Sequence, residues 1–125
     1  MSHAQSYATN AYAASARNGM SLRELEASAL LKAAARLQTA RDDHSPADPE
    51  FDAALTHNRR LWTVLAAALS DPASAMPDDL KARLLTLANF VFNHTLTITA
   101  APTPDKLTSL IAINRDLAAG LRAAG

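Results

Sequence analysis

The sequence predicts an all-α protein: an antiparallel helical bundle of four long helices, with room for a short N-terminal helix. Three observations carry this. The 125-residue chain holds 29 alanines and 18 leucines against three glycines and six aromatic residues. Strong helix formers therefore dominate, and the β-branched, aromatic and Gly-turn chemistry of an all-β fold is scarce. Asp48-Pro49 and Thr103-Pro104 each put a capping residue before a proline at the first helical position. Between such breaks the apolar residues step 4, 3, 4, 3, 4, the spacing of a helix seam. At this length a single domain over residues 1–125 is expected, with a helical core at 21–123.

The elements follow in order. Residues 1–20 are small and polar; Tyr7, Ala11 and Ala14 share one face, enough for a short helix that folds only when docked. Asn18-Gly19 is a stop signal. Ser21-Leu22-Arg23-Glu24 is a capping box, with Met20 and Leu25 placed as a hydrophobic staple around it. The first helix then carries the stripe Leu22, Leu25, Ala29, Ala33, Leu37 and Ala40, flanked by Leu30, and ends near Arg41. Residues 42–47 form a polar linker. The second helix runs from Pro49 to about Ser70 on the seam Phe51, Leu55, Asn58, Trp62, Leu65, Leu69. Asp71-Pro72 breaks it, and 71–76 is a loop. The third helix begins at Pro77-Asp78-Asp79 and ends at Ala101-Pro102, with the seam Leu80, Leu84, Leu87, Val91, His94, Ile98. Leu85, Phe92 and Leu96 widen its apolar arc, so this helix is expected to be the most buried. The fourth runs from Pro104 to about Ala123, with Leu107, Leu110, Asn114, Leu117 and Leu121 on its seam.

Three seams each hold one polar residue: Asn58, His94 and Asn114. A buried amide without a partner is costly, so each needs one. Three arrangements answer that need: pairing with one another to fix register, capping a neighbouring loop, or marking where a seam opens to a partner. Trp62, the sole tryptophan, lies on a seam beside Arg59 and Arg60, which reads as core flanked by a solvated face or as a binding anchor.

Several chemistries are absent. With no cysteine there is neither a disulfide framework nor a Cys-based zinc site. His3, His44, His57 and His94 include no pair three or four apart, and the acid pairs Asp42-Asp43 and Asp78-Asp79 read as solvated loop and first-turn residues. There is no phosphate loop, nucleophile elbow or EF-hand loop. No enzyme activity, catalytic residue, metal or cofactor is expected. Twelve basic side chains balance twelve acidic ones, so there is no global field to attract nucleic acid directly. The longest clean apolar run, residues 64–69, is far short of the ~20 residues that span a bilayer. The N-terminus lacks a basic start and an apolar stretch, so no membrane segment and a cytoplasmic location are expected.

Four blocks point further. They are Arg23-Glu24-Leu25-Glu26-Ala27 leading into Leu30-Leu31-Lys32-Ala33-Ala34; Asn58-Arg59-Arg60-Leu61-Trp62-Thr63; Pro77-Asp78-Asp79-Leu80-Lys81-Ala82; and Leu110-Ile111-Ala112-Ile113-Asn114-Arg115 with Gly120-Leu121. In order and spacing, from Ser21 to Arg122, they resemble the FlaF family of flagellar biosynthesis proteins. Residues 1–20 and 42–48 carry no part of the resemblance. It implies a small cytoplasmic protein needed for flagellin secretion and filament assembly, similar in role to a flagellin chaperone and working alongside the regulator FlbT. The motif residues it points to are Asn58, Arg59, Leu61, Trp62 and Asn114, as partner-binding or fold-defining positions. The client it implies is flagellin, whose terminal amphipathic helices are left unpacked outside the filament; the small-residue stripe of the first helix is the candidate wall of a groove for one. Control of flagellin expression through FlbT, and a helical adaptor with no flagellar client, are the competing roles. A heptad seam is also compatible with self-association.

Overall fold

A computed structural model describes residues 22–124 of the chain. Among them are four α-helices: α1 (Leu22–Asp43), α2 (Pro49–Leu69), α3 (Asp78–Ala100) and α4 (Leu107–Ala124). A 3-10 turn, Pro104–Lys106, leads into α4, and the described residues contain no strand. The face of Tyr7, Ala11 and Ala14, the Asn18-Gly19 stop, the Ser21 cap and the Met20 half of the staple lie outside the described residues. Short connections make sequential helices antiparallel. The side chains agree: Arg41 donates to the Thr108 hydroxyl at 3.2 Å and Arg115 to the Gln38 side chain, tying α1 to α4 head to tail.

The breaks fall where expected, with one cap that differs and two ends that shift. Asp48 is the N-cap of α2, in extended conformation (φ −72°, ψ 140°), with Pro49 following. Its carboxylate does not cap the helix. It turns back into the linker, accepting the Ser45 N–H at 3.2 Å and lying 3.3 Å from His44 Nδ1. Glu50 and Asp52 in the first turn supply the negative charge that favours this end. Thr103 starts a 3-10 turn rather than an α-helix, so α4 proper begins at Leu107. The first helix continues two residues past Arg41, to Asp43.

The helix expected to be the most buried is not. α3 buries only Ala88, Val91, Thr95 and Ile98, and leaves Leu80, Phe90 and Leu96 exposed. The central helix is α1, which buries Ala27, Leu30, Ala33, Ala34, Leu37 and Ala40. The extensive interfaces are those of α1 with α4, α1 with α2, and α2 with α3. The reason is side-chain size. Alanines spread over a wide arc let two backbones approach α1 from adjacent sides, so a helix with modest apolar area loses nearly all of it to contact. For the same reason the small-residue stripe of α1 is not a wall of a free groove: α2 and α4 already occupy it.

Burial also changes along the bundle. Toward the end holding the α1–α2 linker and the α3–α4 turn, Leu37, Phe51, Leu55, Ile98, Leu107 and Leu110 are fully buried. Toward the other end, where α1 starts and α4 finishes, Leu65, Leu69, Leu84, Leu87, Leu117 and Leu121 are only half-buried and Leu80 is exposed. The α3–α4 pair is not among the extensive interfaces. The bundle is closed at one end and open at the other.

Candidate functional site

Three of the motif residues meet in the core. Asn58 and Trp62 lie one turn apart on α2, and Asn114 reaches them from α4; all three are fully buried. Trp62 Nε1 donates to Asn114 Oδ1 at 2.9 Å, and Asn114 Nδ2 donates to Asn58 Oδ1 at 2.7 Å and toward the Leu30 carbonyl of α1 at 3.5 Å. The orientations are forced in sequence. An indole N–H only donates, so Asn114 must turn its oxygen to Trp62. Its amino group then faces Asn58, which must answer with oxygen. Asn58 Nδ2 is left buried without a partner. The network ties α2, α4 and α1 together and fixes their register.

His94 takes the second arrangement. Its Nε2 donates to the Lys106 carbonyl at 2.9 Å, closing the turn before α4, and its ring stacks on Phe90 with centroids 5.3 Å apart. Of the other motif residues, Leu61 is buried and Arg59 is exposed. The core thus collects Asn58, Leu61, Trp62 and Asn114, and leaves Arg59 and Arg60 on the solvent face.

The exposed large apolar side chains among the described residues, Leu80, Phe90 and Leu96, all belong to α3. Leu85, Phe92 and Leu96 step by 7 and 4, which places them on one flank of the helix, where Leu85 and Phe92 are half-buried and Phe92 packs against the core. Leu96 is 65% exposed. Leu80, Leu84 and Leu87 instead continue the seam of Val91 and Ile98 toward the start of α3, where burial falls off, and Phe90 lies exposed beside that seam. The sequence signalled the Leu96 flank only as a widened apolar arc, because periodicity gives a helix its faces but not their neighbours.

A basic patch spans α1 and α2. Lys32 and Arg36 of α1 and Arg60 of α2 surround His57; partial burial first, and these cations second, push the His57 pKa down. Glu50 lies 4.0 Å from Arg36 at the edge of this patch. Depression means that the folded protein resists protonating His57, while the unfolded chain takes the proton near pH 6.5. Below that value the unfolded state binds more protons, so stability is expected to fall as pH drops from about 7.5 to about 5.5. Urea melts across that range check it, and His57→Gln should flatten the slope. Among the described residues no cluster of three or more His, Asp or Glu is placed to hold a metal ion, and no helix is long and apolar enough to cross a membrane.

The model of a known family, flagellar protein FlaF, matches residues 8–121. The chain belongs to the FlaF family. Comparison with curated proteins and with solved structures returned no match. The FlaF match corrects the extent of the sequence resemblance: it starts at residue 8 rather than Ser21, and it runs through the 42–48 linker. The protein is therefore a flagellar protein with an all-helical bundle, and the Asn58–Trp62–Asn114 core lies within the FlaF-matched region.

Proposed function

We propose that the protein is a non-catalytic, cytoplasmic flagellin-binding chaperone that serves flagellin secretion and filament assembly by receiving a terminal amphipathic helix of flagellin on the outer flank of α3. The carrying observation is Leu96, a large apolar side chain 65% exposed on a helix that also bears Phe92 and Leu85 on the same side. An apolar ridge at helical spacing is what a second amphipathic helix needs, and a cytoplasmic monomer gains nothing from leaving one bare. Membership of a flagellar protein family supports a flagellar client. The absence of a net charge favours a protein client over nucleic acid.

The test is titration of purified flagellin monomer against the wild-type chain and Leu96→Asp. An exposed substitution should change stability by less than about 0.5 kcal/mol, while flagellin affinity should fall at least about tenfold. Full-affinity binding by the variant, or no binding by wild type, refutes this reading. The same titration with FlbT in place of flagellin tests FlbT as the alternative partner.

A further inference from the structure

We infer that the exposed face shared by α1 and α2 is a docking surface for an acidic helix of a partner protein, whose carboxylates, one turn apart, sit on Lys32, Arg36 and Arg60. The patch is built by the helix repeat and the linker. Lys32 and Arg36 are four residues apart on α1, and His57 and Arg60 three apart on α2, so each pair shares a side of its helix. The short linker, residues 44–48, folds the two helices antiparallel. Positions equally far from it lie level, which sets Arg36 beside His57 and Lys32 beside Arg60. The 4.0 Å approach of Arg36 to Glu50 shows which side of α2 meets this row, and His57, two turns on from Glu50, is on that side.

Three observations choose the occupant. The first is uncompensated charge. The charges that act on His57 are all positive, from Arg36, Lys32 and Arg60. The Lys32 and Arg60 side chains make no ion pair or hydrogen bond among the described residues, although the chain has as many acids as bases. Like charges one turn apart weaken a helix, so the fold carries a repulsion here that its own carboxylates do not relieve. A carboxylate from outside relieves it. The second observation is spacing. The two levels of the patch are one helical turn apart, ~5–6 Å, which is the separation of two acids at i and i+4 on another helix. The third is Glu50, which ends the row on the linker side and repels any acid one turn further on. That restricts the complement to a short acidic stretch. A continuous polyanion such as a nucleic acid strand gains less, because Glu50 interrupts its run of contacts.

The test titrates the full chain at low salt with a helical peptide carrying two glutamates four residues apart, and follows the His57 ring signals by nuclear magnetic resonance. The wild-type chain should bind and shift those signals, and added salt should weaken the binding. Lys32→Glu with Arg60→Glu should lower the affinity at least about tenfold. Arg83→Glu with Arg122→Glu makes the same change in net charge at exposed sites of α3 and α4, and should leave the affinity within about twofold. Glu50→Gln, which removes the competing acid, should tighten binding. Circular dichroism confirms that each variant is folded, and Lys32→Gln with Arg60→Gln replaces the charge reversal if that one is not. No binding by the wild type, an equal loss in the two double variants, weaker binding by Glu50→Gln, or tighter binding of an RNA oligonucleotide than of the peptide overturns the inference. Neither flagellin nor Leu96 enters the experiment, so its outcome stands apart from the client reading.

Discussion

Trp62→Ala should destabilise the protein by about 3–5 kcal/mol, the cost of emptying a fully buried indole site, enough to unfold much of a domain whose whole stability is about 5–15 kcal/mol. Two losses combine. The side chain is fully buried in the core, where close-packed neighbours can collapse only partly into the space it leaves. The Asn114 carbonyl oxygen also loses its indole donor. Urea unfolding followed by circular dichroism measures the change. Trp62→Phe separates the terms, since it keeps most of the volume but not the N–H, and it should lose clearly less. A folded Trp62→Ala protein of near wild-type stability would mean that the indole is not part of the core.

Asn114→Leu should cost about 2–5 kcal/mol, because it strands two buried groups at about 1–3 kcal/mol each. The shape is nearly kept, so the loss is chemical. The Trp62 N–H and the Asn58 carbonyl oxygen are both left without a partner. The two amides of the network are not equivalent. Asn58 already carries an unpartnered amino group, so Asn58→Leu removes one buried liability along with one good acceptor and should cost less. A double-mutant cycle between the two positions checks this, with a coupling energy of about 0.5–3 kcal/mol expected for groups in direct contact. Equal costs for the two single variants would contradict the assigned hydrogen-bond directions.

Much of the fold was legible locally. Asp48-Pro49, Asp71-Pro72 and Thr103-Pro104 fall at the element boundaries because proline geometry acts within a few residues. The seam of α2 was legible for the same reason, since Phe51, Leu55, Asn58 and Trp62 repeat at a spacing fixed by the helix itself. The rank order of burial was not legible. Counting apolar area favours α3 with its leucines and phenylalanines, whereas centrality depends on how near two neighbours can come, and that is set by the small residues of α1. The polar seam residues were legible as needing partners. Which partners they take was not, because Asn58 and Asn114 are 56 positions apart and nothing local joins them. His94 shows the same limit: capping a loop was one of the arrangements open to a polar seam residue, but that His94 would take it, at the turn before α4, was not legible.

The alanine stripe of α1 gives the protein a one-sided tolerance to sequence change. At Ala27, Ala33, Ala34 and Ala40 there is almost nothing to delete, so truncation leaves little void. Any added carbon meets a neighbouring helix that lies close by, and overpacking of this kind costs about 1–3 kcal/mol per site. Leucine positions on α3 face the opposite constraint, since several can grow or shrink into solvent. The helix that looks least informative by composition is therefore the one whose packing tolerates substitution least, and the packing of α3 leaves more room for change.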